Sequence, residues 1–209
     1  MSDVDLVVDL MKQWTILADH TKKGGPIRPK TKFSGPADRN YQLKGKVPRK
    51  FLQWEEQNFG INIGWTDDAE PKTATRVQRW FFMRNGENET PITYGEKLAI
   101  GNGKPPSWLC YGERTWGVNL NWRDDPSFEW KVLGGEPGEQ VKLGDWVALY
   151  NMKDGECLIY FARDVGAYLG WPTSKTWGQQ FKDKLGDLAG DALDKALEAG
   201  VQKLMSGGG

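Results

Sequence analysis

Two carboxylate pairs, Asp67-Asp68 and Asp124-Asp125, follow closely on Trp65 and Trp122, and Asn62 and Asn119 stand just upstream of those tryptophans. Planar acceptors beside a flat aromatic face suit a sugar, whose paired hydroxyls need acceptors and whose ring C–H groups need an apolar surface. Three further aromatics are placed for such contact. Trp116 falls in a turn between strands, and Trp108 and Trp146 have the opposite parity from the core positions of their strands. The same residues have a plainer reading, in which Asp-Asp before Pro126 makes a turn, the asparagines cap strand ends and the tryptophans pack at the periphery. Adjacent turn acids do not flank a glycosidic bond from two sides, so the pairs do not describe a glycosidase. His20 is the single histidine and has no obvious carboxylate or nucleophile partner, which excludes any site built on several histidines. No nucleophile elbow, phosphate loop, CxxC or HExxH is present. Cys110 and Cys157 make neither a disulfide framework nor a repeated ligand pair. The expectation is a non-catalytic binding protein without metal or cofactor.

The elements that position these groups come from an internal repeat. Three ungapped windows, Phe51 to Trp65, Trp108 to Trp122 and Cys157 to Trp171, each carry Leu second, an aromatic fourth, Gly tenth and Trp last. A second pattern precedes them, clear in Glu96-KLAIGN and Asp145-WVALYN and weaker in Arg39-NYQLKG. A third, Trp80-Phe-Phe-Met and Trp130-Lys-Val-Leu, has its remaining copy at the N-terminus as Trp14-Thr-Ile-Leu, so the third repeat must borrow its last strand from the start of the chain. The period-two alternation predicts short strands, and Gly60, Gly117 and Gly166 supply the positive φ of a turn within each window. Trp14, Trp80, Trp130, Trp65, Trp122 and Trp171 recur at two fixed places and are expected in the core, with Trp54 and its counterparts Tyr111 and Tyr160 beside them.

The final tryptophans of the windows are 57 and 49 residues apart. On these three windows and their flanking strands the chain resembles the β-trefoil superfold over roughly Gln13 to Trp171, with an element order similar to fascin-type and ricin-type trefoils. The resemblance implies an all-β domain of twelve short strands in three pseudo-repeats. The full QxW signature of the ricin type does not occur three times, and the resemblance assigns no ligand residues. It implies a lectin-like, carbohydrate-binding role with a glycan or glycosylated receptor as partner; a membrane-active or toxin-type protein and an intracellular protein-interaction scaffold are the alternatives.

Composition changes after Pro172, dividing a trefoil domain at residues 1–174 from a helix and glycine tail at 175–209. Ala, Leu, Lys and Asp dominate from Thr176 to Met205, and Trp177, Phe181, Leu185, Leu188 and Leu193 fall on one apolar face opposite acidic residues. This face packs on the trefoil or on the N-terminal Val4–Met11 stretch, itself a candidate helix, pairs with a second copy or meets a membrane. The preferred arrangement is cis packing through Trp177 and Phe181, with Leu193 to Met205 free for a partner. His20 to Lys50 holds ten Lys and Arg against one acid and reads as a solvated basic loop or a phosphate contact. With 28 basic and 28 acidic residues the net charge is zero, which argues against a duplex-DNA binder. The acidic, charge-broken N-terminal stretch is no signal peptide, so the expected location is cytoplasmic or outside by a non-classical route.

Overall fold

The computed structural model describes residues 2–18, 23–30, 39–67, 76–104, 108–162, 166–172 and 191–208. Helix α1 (Asp3–Met11) is followed by β1 (Trp14–Leu17), β2 (Gln42–Gly45), β3 (Phe51–Glu55), β4 (Gly64–Thr66), β5 (Arg76–Val77), β6 (Trp80–Arg84) and β7 (Leu98–Asn102). Then come β8 (Trp108–Tyr111), β9 (Leu120–Arg123), β10 (Trp130–Leu133), β11 (Trp146–Asn151), β12 (Glu156–Tyr160), β13 (Leu169–Gly170) and α2 (Asp191–Met205). Twelve of these strands are the ones the repeat predicts. The thirteenth, β5, is a two-residue addition on the edge of β3, pairing Val77 with Trp54.

All strand pairs are antiparallel and form one curled sheet. Each tryptophan-led strand pairs with the strand that follows it: Trp14 opposes Gly45, Trp80 opposes Asn102 and Trp130 opposes Asn151. The same three residues also reach the other neighbour, Trp14 opposite Val147, Trp80 opposite Tyr41 and Trp130 opposite Leu98. The borrowed strand is therefore real: β1 sits between β2 and β11.

The indoles explain why this strand must begin with tryptophan. Trp14 Nε1 donates to Leu158 O at 2.6 Å, Trp80 Nε1 to Leu52 O at 2.8 Å and Trp130 Nε1 to Leu109 O at 2.8 Å. The three acceptors are the second residues of the three windows. The ring faces then stack on the windows' last residues, Trp14 on Trp65 at 5.7 Å, Trp80 on Trp122 at 6.0 Å and Trp130 on Trp171 at 6.3 Å. A buried indole supplies a large apolar face and one N–H that must find an acceptor, and both needs are met by different modules. Trp14, Trp80, Trp130 and Trp171 are buried, whereas Trp65 and Trp122 are half-buried against the core.

A second cycle joins three loops. Ile27 N donates to Val141 O, Val141 N to Ile92 O and Ile92 N to Ile27 O, at 3.0, 2.9 and 2.8 Å. Three residues further on, Lys30, Gly95 and Gly144 donate their N–H groups to Phe82, Val132 and Ile16 O. Gly95 and Gly144 are followed directly by Glu96 and Asp145, whereas Lys30 is separated from the corresponding Arg39 by residues 31–38, an insertion confined to the first module.

Within the described part of the basic stretch, some cations are paired or buried within the protein, whereas Lys23, Arg28 and Arg49 are exposed. Lys30 is buried, its ammonium 4.9 Å from the Phe81 ring centroid. Arg39 pairs with Glu89 at 2.7 Å, Lys46 with Asp9 at 2.7 Å and Lys50 with Asp67 at 3.1 Å. His20 lies outside the described residues.

The two helices cover the outer face of the third module. Leu133, Ala148, Cys157, Ile159 and Phe161 point outward from the sheet and meet Val7, Met11, Leu197 and Leu204. The C-terminal half of the helical region is thus not free for a partner: Leu197 and Leu204 are buried, and Leu193, Val201 and Met205 pack against the same cluster. Trp177, Phe181, Leu185 and Leu188 lie outside the described residues. The reason for cis packing is steric and electrostatic. Gly200 has no side chain where Val7 sits, and a Cβ there would lie 2.8 Å from Val7 Cγ1. Ser2 caps α1 by accepting from Asp5 N at 3.1 Å, and the Asp5 carboxylate takes Lys203 of α2 at 2.5 Å. Lys203, then Ser2, hold that carboxyl well below the usual carboxylate range. Replacing Gly200 by Val is expected to destabilise the fold by about 1–3 kcal/mol through overpacking, read as a lower midpoint in urea, whereas Val201→Thr on the half-exposed flank should change it far less. Among the described residues no helix is long and apolar enough to cross a membrane.

Candidate functional site

The nine residues singled out for a ligand do not converge. Trp108 is 3% exposed, sealed on the outer face of its module by Phe81, whose ring it meets edge-on at 5.2 Å. Its outward parity is as expected, but Phe81 and Phe128 cover it, so it offers no surface. Asn62 and Asn119 turn inward on their own hairpins: each Oδ1 accepts a backbone N–H five residues upstream, from Gln57 and Arg114, at 3.1 Å in both. Asp124 and Asp125 occupy an exposed bend after β9, as the turn reading requires. Asp67 is exposed beside Lys50, and Asp68 lies outside the described residues.

Trp116 is 84% exposed, at the tip of the β8–β9 hairpin, and Phe59 holds the related tip of the β3–β4 hairpin at 75%. Both precede a glycine in the left-handed region, Gly60 at φ 84° and Gly117 at φ 90°, which turns the next residue, Ile61 or Val118, back into the core. Trp146 is 40% exposed and lines a shallow cleft of about 380 Å³ with Tyr94 and Asp145. The polar groups there are engaged with one another: Tyr94 donates to Asp145 at 3.2 Å, and Lys12 donates to Gly134 O at 3.1 Å.

A more complete arrangement lies between the hairpins of the first and third modules, in a cleft of about 510 Å³. Its aromatic wall is Trp65, Tyr160 and Tyr168. Trp65 is fixed on one face by Trp14, and its Nε1 donates to Ala167 O at 2.8 Å, so its orientation is set by the third module and the strand that module borrows. Tyr160 meets Trp65 edge-on at 5.6 Å and carries Tyr168 stacked on it at 6.5 Å, with the planes 21° apart. Tyr168 is 39% exposed and has φ 49°, a left-handed conformation unusual for a large side chain. At the related positions the other modules have asparagine, and neither Asn62 nor Asn119 has a positive φ. A strained aromatic whose ring borders a cleft points to function, since strain persists where the surroundings enforce it.

The opposite wall is polar. Glu55 ends β3 and is held by Gln53 Nε2 at 2.9 Å, and Gln57 and Lys50 stand beside it. Gly64 faces Glu55 so closely that a Cβ would lie 2.0 Å from its Oε2, so glycine at that place makes room for the carboxylate. The cleft therefore combines an aromatic platform, an anionic acceptor and an amide able to donate and accept. Such a set suits hydroxyl-rich rings; among the described lining residues there is no Ser, Thr, Cys or His and no second acid. Cys110 and Cys157 are buried, and burial pushes both thiols up, away from the reactive thiolate form. Among the described residues no cluster of three or more His, Cys, Asp or Glu is placed to hold a metal ion.

The sequence reading assigned Trp65 and Tyr160 to the core and so missed the wall they form. The signal for it in the sequence is Tyr168, which stands at the twelfth place of its window where the other two windows have Asn62 and Asn119. No family model matches the chain, and neither a curated protein nor a solved structure does.

Proposed function

We propose that the chain is a non-catalytic, carbohydrate-binding protein built as a β-trefoil. The fold reading is supported by two cycles that pass once through each module, the indole bonds of Trp14, Trp80 and Trp130 and the loop bonds of Ile27, Val141 and Ile92. The observation that carries the function is the cleft where Tyr168, stacked on Tyr160, faces Glu55 and Gln57. A pyranose lying on Tyr168 places its C–H face on the ring and its hydroxyls against the carboxylate and amide. On a glycan array the protein is expected to bind a restricted set of sugars, and Glu55→Gln is expected to weaken binding about tenfold or more with an unchanged melting temperature, because the charge-assisted hydrogen bonds are lost. A blank array at high protein concentration would sink the reading.

A second reading, contact with a membrane or apolar receptor surface, has one observation in its favour, the exposed Phe59 and Trp116 at related hairpin tips. Rigid aromatic tips suit a bilayer interface. Co-sedimentation with phosphatidylcholine vesicles, lost in Trp116→Ser, is the result that would support it; equal recovery of both proteins in the supernatant would dismiss it.

A further inference from the structure

We infer that the chain binds a single uncharged pyranose unit, at the cleft between its first and third modules alone, and that the two related clefts are closed by their own side chains. This rests on the carbohydrate reading and adds the ligand's charge and the number of sites.

Each cleft of the repeat pairs the last tryptophan of one window with the fourth-place aromatic of another. Trp65 meets Tyr160 at 5.6 Å and Trp171 meets Tyr111 at 6.4 Å, which leaves Trp122 to Trp54. Only in the first pair are both rings half-buried rather than buried. Trp54 is 6% exposed because β5 runs along it and the Lys104 ammonium sits 4.9 Å from its ring centroid. In that cleft Arg114 replaces Gln57 and is turned back on its own hairpin, with Nε donating to Leu120 O at 2.6 Å. In the remaining cleft Trp171 is 7% exposed, and Asn119 Nδ2 donates to the Tyr111 hydroxyl at 3.5 Å. The acceptor is also unique. Where the first window has Glu55, the second has Gly112 and the third has Phe161, which is buried in the helix-side cluster.

The charge preference follows from the same wall. An ionised carboxylate only accepts, so it holds hydroxyl hydrogens and repels a uronate or sulfate. Lys50, the cation among the described lining residues, lies 3.1 Å from Asp67.

The test is a titration of the full chain with the methyl glycosides of glucose, galactose and mannose, and with methyl glucuronide. It is followed through the indole N–H signals of Trp65, Trp122 and Trp171 in nuclear magnetic resonance spectra. The expected result is a saturable shift of the Trp65 signal alone with at least one uncharged glycoside and a weaker response to the glucuronide. Tyr168→Asn installs the residue found at 62 and 119, one that tolerates a left-handed φ, so the signals of Trp14, Trp80 and Trp130 should stay in place while affinity falls about tenfold. Parallel shifts at Trp122 or Trp171, or a glucuronide bound as tightly as the glucoside, overturn the inference and leave the carbohydrate reading standing. Silence of all three signals with every glycoside overturns both.

Discussion

A chain carrying Trp130→Ala is expected to lose about 3–5 kcal/mol of folding stability. Trp130 is 1% exposed, packs on Trp171 and gives Leu109 O its indole hydrogen. Truncation opens a cavity the size of the indole and strands a buried carbonyl, and the two costs add. Against a total stability of roughly 5–15 kcal/mol, a loss of this size threatens folding at ordinary temperature. Denaturant titration measures it. Trp116→Ala is the control: that side chain is 84% exposed, so its removal should leave the midpoint almost unmoved. Equal effects at the two positions would contradict the division into indole ring and hairpin tip.

Glu129→Ala is expected to cost about 2–4 kcal/mol, although the residue is charged. Glu129 is 3% exposed and accepts from Tyr111 N, from the Ser127 hydroxyl and from Asn151 Nδ2 at 3.0 Å, with Lys153 at 3.0 Å. Its removal leaves the Tyr111 and Asn151 donors without this acceptor, at roughly 1–3 kcal/mol for each buried group left unsatisfied. Lys153 is half exposed and contributes little once released to water. The same carboxylate sets an acid limit. Burial raises its affinity for a proton, but the hydrogen bonds from Ser127, Asn151 and Tyr111, with Lys153, outweigh burial and hold it below the ordinary range. A depressed folded-state value means that its stabilisation is complete above the unfolded value of about 4.3 and is lost as pH falls through the lower one. The midpoint in urea should therefore drop below about pH 4 in the wild type, and the drop should be shallower in Glu129→Gln.

Gln13 shows that the Glu129 device is shared by two of the three modules, Arg79 standing before the remaining ring tryptophan. Its Oε1 accepts Tyr160 N at 2.9 Å, as Glu129 accepts Tyr111 N, and both residues directly precede a ring tryptophan. The tryptophans themselves were legible in the sequence, because Trp14, Trp80 and Trp130 recur at one place and a repeated large residue marks a repeated demand of the core; the acceptors before them were not. The borrowed N-terminal strand was legible for the same reason. Burial of Trp108 was not, since its cover comes from Phe81, 27 positions away, and parity fixes a face without saying what lies on it. The cleft was hidden for a related reason. Trp65 and Tyr160 look like core residues in their own windows, and they become a wall only when modules one and three are brought side by side. The helix α2 was visible by its periodicity, and the Val4–Met11 stretch was one of the partners open to it; what periodicity could not show is the close contact itself, Gly200 against Val7.

The strand that begins with Trp14 also fixes an order of events during synthesis. Trp14 leaves the ribosome well before the carbonyl that receives its indole hydrogen, which belongs to Leu158, 144 positions later. Until that stretch emerges, β1 can pair with β2 but has no β11 beside it, and its other edge stays open. Modules one and two can assemble as the chain lengthens, since Trp80 and Trp130 find Leu52 and Leu109 already made. The last loop to close is then the longest, and closure of distant contacts is what slows a β-rich chain. The nascent protein passes through a stage with two modules formed and an unpaired apolar strand waiting for its neighbour, the interval in which edge-to-edge association between chains is most favoured.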